Sequence, residues 1–284
     1  MKGIETWRLI DSGSRLASEN MAIDEALLRS CQGGDSLPSV HLYTWKGPAV
    51  TLGYLQDVAR TIHKEACRAK GIPVVRRITG GRAVIHQEDL GLSLIFPTHG
   101  GKIPPGIDGS YRKIAQGLVK GLQSLDIKAS LAIGRLHQPI GKREHGHTSA
   151  CFLTRLRFEV VVSGRKIFGA AQRRTGDWVL QQGTILMDLN RALWMELLHY
   201  PEHLEPCKIK KRLASEMTSV REISGKAPDI FAIKRAVVKG LSKILGIRFS
   251  VQYLSPQERE EVARLSKAKY RDLLDAGIET ERML

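Results

Sequence analysis

The stretch Arg76-Arg77-Ile78-Thr79-Gly80-Gly81-Arg82-Ala83-Val84-Ile85-His86 runs as a strand into two glycines and then resumes as a strand. Paired glycines let a ligand approach the main chain with no Cβ in the way. Their N–H groups, with the arginine before them, offer donors to an anionic or carbonyl oxygen. The segment is therefore a candidate binding turn, although the plainer reading is a Gly-Gly hairpin with exposed arginines. It is not the phosphate loop of nucleoside triphosphatases, which needs Gly-Lys-Ser/Thr, nor a dinucleotide fingerprint, whose glycine spacing differs.

Outward from this turn, apolar and β-branched runs punctuated by glycine predict strands over 41–45, 50–54, 74–77, 83–85 and 92–96. Residues 21–29 predict an early helix, with Ile23, Ala26 and Leu27 on one face. The Gly/Pro-rich segment 98–110 reads as a surface loop, followed by an amphipathic helix carrying Tyr111, Ile114, Leu118, Leu122 and Leu125. Strands over 158–162 and 166–170 flank Ser163-Gly164-Arg165, whose glycine supplies the positive φ of a tight hairpin, and 179–186 returns as a further strand.

From Asp188 onward the pattern is helical. It includes 229–245, with Asp229 as N-cap and Gly246 as stop, and a last helix opened by the capping-box spacing Ser255-Pro256-Gln257-Glu258. Strands and helices do not alternate regularly, which predicts an α+β fold, a mixed sheet covered by helices, rather than a doubly wound sheet. Residues 246–254 read as a linker, dividing a domain over 1–250 from a short helical C-terminal extension over 251–284.

The chain has 284 residues, 42% of them hydrophobic, enough for a substantial core. No signal peptide and no run of eighteen apolar residues is legible, so a soluble cytoplasmic protein is expected. Cys31, Cys67, Cys151 and Cys207 lie far apart with no Cys-x-x-Cys pair, against a disulfide framework or zinc ribbon. Apart from Cys151, they read as small buried hydrophobes. A formal net charge of +15 favours anionic partners. The basic residues form no single arm or aromatic-spaced patch, so acidic proteins fit at least as well as nucleic acid.

Two further stretches carry chemistry. In Gly164-Arg165-Lys166-Ile167-Phe168-Gly169-Ala170-Ala171-Gln172, leading to Leu180-Gln181-Gln182-Gly183-Thr184-Ile185-Leu186, small residues inside a strand leave room over the sheet. Lys166, by itself a surface lysine, stands where an ammonium can face a carbonyl oxygen. Ser149-Ala150-Cys151-Phe152 lies just upstream. A thiol beside a lysine becomes a thiolate able to attack a thioester. His137, His145 and His147 raise metal binding as a rival, but His-x-His with one cysteine gives no four-ligand spacing, so no metal is expected. His86 is either a site residue or a satisfied structural histidine.

Together with Asn20-Met21-Ala22-Ile23-Asp24-Glu25-Ala26 and Pro48-Ala49-Val50-Thr51-Leu52-Gly53-Tyr54-Leu55-Gln56, these motifs resemble the biotin/lipoate protein ligase family, in its octanoyltransferase branch, over residues 20–186. The resemblance implies that family's catalytic-domain fold, with the Gly-Gly turn and the Lys166 strand forming an acyl tunnel. It further implies that Cys151 carries an acyl-thioester and that Lys166 lowers its thiol pKa. Arg77, Thr79, Gly80, Gly81, Ala83, His86, Gly169, Ala171, Gln172, Gly183 and Thr184 are the implied substrate-binding residues. The implied donor is octanoyl-acyl carrier protein. The implied acceptor is a lysine of a lipoyl-carrier domain, glycine cleavage H protein or 2-oxoacid dehydrogenase E2, and no cofactor is needed.

Three positions depart from the family pattern: Gln182 where a histidine is usual, Gln87 where an aspartate is usual, and Leu153-Thr154-Arg155 after Cys-Phe. An ATP- and magnesium-dependent lipoate ligase, with Cys151 a bystander, is the first alternative. An amidotransferase working between carrier proteins is the second, and a basic nucleic-acid-binding module, supported by charge alone, is the most distant.

Overall fold

A computed structural model describes residues 4–132, 158–201 and 203–275. An eight-stranded mixed sheet runs in the order β11-β1-β2-β6-β10-β9-β8-β7. Its parallel part pairs β1 (Glu5–Arg15) with β2 (Ser39–Trp45) and with β11 (Ile247–Val251). Its antiparallel part continues through β6 (Asp89–Pro97), β10 (Trp178–Leu186), β9 (Arg165–Thr175), β8 (Val160–Val162) and β7 (Ala129–Leu131). A second sheet, β4-β3-β5, is formed by β3 (Ala49–Leu52), β4 (Val74–Arg76) and β5 (Val84–His86). The α+β expectation holds.

Helices cover both faces of the large sheet. On one face α4 (Ile107–Gln123) and α8 (Ile230–Leu245) cross so closely that a Cβ on Gly240 would lie 2.2 Å from the Gly117 carbonyl oxygen. Ile114, Leu118, Leu122, Val237 and Leu241 meet Leu90, Leu92 and Leu94 of β6 there, in the largest apolar core. On the other face lies α1 (Ala17–Gln32), whose Met21, Ile23, Ala26 and Leu27 pack over Tyr43, Ile95 and Leu180. The small sheet has its own core, shared with α2 (Val58–Thr61), α3 (Lys64–Ala69), α5 (Arg191–Leu197) and α6 (Pro206–Glu216); α7 (Val220–Ser224) follows. Among the described residues no helix is long and apolar enough to cross a membrane.

Local chemistry explains the element ends. Asp229 accepts from the N–H groups of Phe231 and Ala232, and Gly246 closes α8 in the left-handed region at φ 65°. Ser163 and Gly164 both take positive φ, 48° and 72°, which a two-residue hairpin between β8 and β9 requires. The expected loop over 98–110 is shorter than predicted, because α4 already begins at Ile107.

The stretch read as a linker instead supplies β11, which pairs with β1. Beyond it α9 (Pro256–Ala268) lies on α1. Arg8 donates to Glu258 at 2.6 and 2.9 Å, and Tyr270 hydrogen-bonds Glu25 of α1. The next turn reaches the small sheet, where Asp272 accepts from Val74 N–H at 3.0 Å.

Candidate active site

The described residues enclose a cleft of about 390 Å³, part of it open to solvent, between α1, the middle of the large sheet and the edge of the small one. Its floor is Gly169, Ala170 and Ala171 of β9 with Gln182, Gly183 and Thr184 of β10. These strands pair Gln182 with Ala171 and Thr184 with Gly169, so small side chains sit opposite the polar ones and leave the space open. The walls are Met21, Tyr43, Trp45, Thr51, Val84, His86 and Arg77.

Arg77, the residue leaving β4, is buried and holds the Gly-Gly turn in shape. One guanidinium nitrogen donates to the Gly80 and Arg82 carbonyls at 2.8 and 2.7 Å, the other to the Thr51 carbonyl and hydroxyl at 3.0 and 3.1 Å. Five fixed donors on a planar group make arginine suited to this task where lysine is not. Gly81 sits at φ 85°, and a Cβ there would meet Arg77 at 2.9 Å and Ala171 at 3.3 Å. The turn therefore closes against the cleft floor. Among the described residues no backbone acceptor takes the N–H groups of Gly80 or Gly81.

His86 stacks on Trp45 with centroids 3.7 Å apart. Arg77 donates to the Thr51 oxygen, so the hydroxyl proton is directed at His86 Nε2, 2.9 Å away. Nδ1 then carries the ring hydrogen toward Asp89 at 3.2 Å. Burial, reinforced by the positive charge of Arg77, holds the His86 pKa well below its ordinary value and keeps the ring neutral.

A second buried network lies beneath. Asp24 accepts from His41 Nδ1 at 2.8 Å, from Ser93 at 2.7 Å and from the Gln182 amide at 2.7 Å. Gln182 in turn accepts from the Thr79 hydroxyl at 2.7 Å. The departure at Gln182 is thus a bridge between α1 and the Gly-Gly turn. Gln87, the other departure, accepts from Asn190 N–H at 3.1 Å, just before α5.

Of the residues expected from sequence, Arg77, His86, Gly169, Ala171, Gly183 and Thr184 line the cleft. Thr79, Gly80 and Gly81 form the turn above it, and Ala83 is buried behind. Gln172 faces elsewhere, bonded to Ser110 and Gln181 at 2.9 and 2.7 Å, and does not line the cleft. Lys166 is not a surface lysine: it is 1% exposed, and its ammonium lies 2.5 Å from Glu159 across the hairpin.

Cys151 and His137, His145 and His147 lie outside the described residues. Cys31 and Cys67 are buried, and burial pushes both thiols up to about 11. Cys207 is exposed, contrary to expectation, because α6 turns it outward beside Glu205. Among the described residues no three His, Cys, Asp or Glu side chains gather as a metal would require.

The lipoyl protein ligase A/B catalytic domain family matches residues 17–242. Octanoyltransferase LipM of Geobacillus kaustophilus is 35% identical over 266 residues, covering 94% of this chain and 96% of that protein. LipM of Staphylococcus aureus is 33% identical over 267 residues, covering 94% and 96%. A chain from a structure of an archaeal lipoylation system of Thermoplasma acidophilum, a bipartite lipoate protein ligase with its E2 lipoyl domain, superposes with a TM-score of 0.76. It is 22% identical, covering 99% of this chain and 100% of that one. Lipoate-protein ligase A bound with ATP superposes at 0.72 with 21% identity, covering 94% and 95%. The fold is that of lipoate-protein ligase catalytic domains. The chain belongs to the lipoyl protein ligase A/B catalytic-domain family, in its octanoyltransferase branch.

Proposed function

We propose that the protein transfers octanoyl from acyl carrier protein to a lysine of a lipoyl-carrier domain, glycine cleavage H protein or 2-oxoacid dehydrogenase E2, through a thioester on Cys151. The observation that carries this reading is the cleft itself, a small-residue floor capped by an arginine-braced Gly-Gly turn. The apolar chain lies over Gly169 to Ala171, and its carbonyl faces the turn. The Cys151 thiolate attacks the donor thioester carbon. The developing oxyanion accepts from the Gly80 and Gly81 N–H groups, and the Lys166 ammonium supplies positive charge. The bond to the carrier sulfur breaks, and that sulfur takes a proton.

In the second half the neutral amine of the acceptor lysine attacks the Cys151 thioester, a C–N bond forms, and the cysteine leaves as thiolate while the amine sheds a proton. The sequence needs neither metal nor nucleotide. A net charge of +15 suits two acidic protein substrates met in turn.

Intact-protein mass spectrometry after mixing with octanoyl-acyl carrier protein, without ATP, tests the reading. An octanoyl adduct on the wild type and none on Cys151→Ser supports it. No adduct, with product appearing once ATP and free octanoate are supplied, replaces it with a ligase.

A further inference from the structure

Leu55 is 90% exposed and Tyr54 beside it 44% exposed, at the loop between β3 and α2. A lone surface leucine needs no explanation, but three facts set this one apart. First, the loop backbone is braced by hydrogen bonds. Arg76 donates from one nitrogen to the carbonyls of Gly53, Tyr54 and Gln56, and the Gln56 side chain accepts from Gly53 N–H at 2.9 Å. Second, it is joined to the cleft rim. Tyr54 N–H donates to the Thr79 carbonyl at 2.9 Å, and the loop meets the Gly-Gly turn so closely that a Cβ on Gly53 would lie 1.9 Å from the Gly81 oxygen. Third, it is flanked by cations. Arg173 stands 5.3 Å from the Tyr54 ring while donating to the Ile78 carbonyl, Arg76 lies beneath the loop, and Arg82 follows the turn. The nearby carboxylate of Asp57 accepts from Arg60 N–H.

A backbone already held by hydrogen bonds has less conformational entropy to lose on binding, and a surrounding positive field selects an acidic partner. We infer that Tyr54 and Leu55 form the apolar centre of a docking surface for an acidic carrier protein that presents an acyl thioester. This inference rests on the proposed transferase reading and adds where the donor protein seats. Anchored there, a carrier's acyl arm enters over the Gly-Gly turn.

The test compares wild type with Leu55→Glu, a substitution at an exposed site that leaves the cleft intact, on two donors: octanoyl-acyl carrier protein and the small thioester octanoyl-pantetheine. The KM for the protein donor should rise by roughly tenfold or more, as loss of an interface anchor does, while kcat and KM for octanoyl-pantetheine stay unchanged. In the wild type, added salt should raise the KM for the protein donor alone. Equal KM values for the two enzymes on the protein donor would overturn the inference. So would salt-resistant self-association abolished by Leu55→Glu, which would assign the patch to a second copy of this chain. Should the wild type turn over neither donor, the transferase reading falls, and docking is decided by binding alone. Fluorescently labelled acyl carrier protein must then bind the wild type and bind Leu55→Glu at least tenfold more weakly; equal binding, or none to either, overturns it.

Discussion

Gln182 donates its amide hydrogen to Asp24 Oδ2 at 2.7 Å, and the same side chain receives the Thr79 hydroxyl at 2.7 Å. One neutral group with a donor end and an acceptor end thereby couples the buried face of α1 to the turn above the cleft. Asp24 already has His41 and Ser93 as donors, so the orientation of the amide is dictated: only nitrogen toward Asp24 satisfies both ends.

Gln182→Glu exploits that polarity. A glutamate must be protonated to donate to Asp24, and a carboxyl buried beside a carboxylate has a raised pKa. Acyl loading of this variant relative to wild type should therefore be best at low pH and fall as pH rises through the raised value, whereas Gln182→Leu should be slow at every pH. Loss of the two bonds costs about 1–3 kcal/mol. Stopped-flow loading of the protein across pH 5–9 reads the difference. A flat ratio for Gln182→Glu would remove the bridge from any role in placing the turn.

His86 predicts the acid limb of stability. Burial, then Arg77, lowers its folded pKa well below the ordinary 6.5. Below 6.5 the unfolded chain gains a proton that the folded chain does not take up. Stability from this group is full above pH 6.5 and declines as pH drops, by at most about 1.4 kcal/mol per pH unit, until the folded pKa is reached. His86→Gln should flatten that segment of the curve in urea denaturation followed from pH 7 to pH 5. An unchanged slope would mean that His86 is charged in the folded protein.

Gly53→Ala should be severe although alanine is small. The added carbon would lie 1.9 Å from the Gly81 carbonyl oxygen, a backbone atom that cannot swing aside. Relief means lifting the turn off the floor, at about 1–3 kcal/mol for overpacking. Thermal unfolding should show the cost, and loading should slow further than the stability loss explains, by up to ~100-fold for an ångström of misplacement. Gly47→Ala separates the two kinds of cost: its Cβ meets nothing within 4 Å, and it carries the positive-φ strain, at φ 87°, that Gly53 lacks, so it should lower stability and leave loading unchanged.

What could be read in advance follows the range of the interactions. Asp229, Gly246, Ser255 and Ser163-Gly164 act on their own neighbours, and each did in the fold what its residue type predicts. β1 is hard to read because Trp7-Arg8-Leu9-Ile10 breaks the alternation, and β11 because Ile247-Arg248-Phe249-Ser250-Val251, although alternating, is only five residues long directly behind the Gly246 stop. Their pairing is fixed between residues more than 200 positions apart, and the buried Arg8–Glu258 pair that seals it has no local trace. The cleft lining was legible where glycine and alanine interrupt a strand. Asp24 was not singled out, yet it carried a signal: it follows Met21 by three and precedes Leu28 by four, a carboxylate on the apolar stripe of a helix. Lys166 reads as a surface lysine in the sequence because its partner Glu159 becomes adjacent only once the hairpin closes.

That pair separates structure from chemistry. Lys166 and Glu159 are 1% and 5% exposed, and removing one partner strips the other buried charge of this ion pair, at about 3–5 kcal/mol. Glu159→Gln should thus lower stability sharply. The double variant Glu159→Leu/Lys166→Met removes both charges with similar volume, so stability should return to near wild type. If the ammonium matters only for folding, the double variant's function should return as well. If it depresses the Cys151 thiol, alkylation of Cys151 by iodoacetamide should keep a thiol pKa raised toward the ordinary range in the double variant. Cys31 and Cys67 are shielded by burial, so a Cys207→Ser background leaves Cys151 as the thiol to be followed. A stable double variant with wild-type alkylation kinetics would confine Lys166 to a structural role and shift the burden of activating Cys151 to other groups.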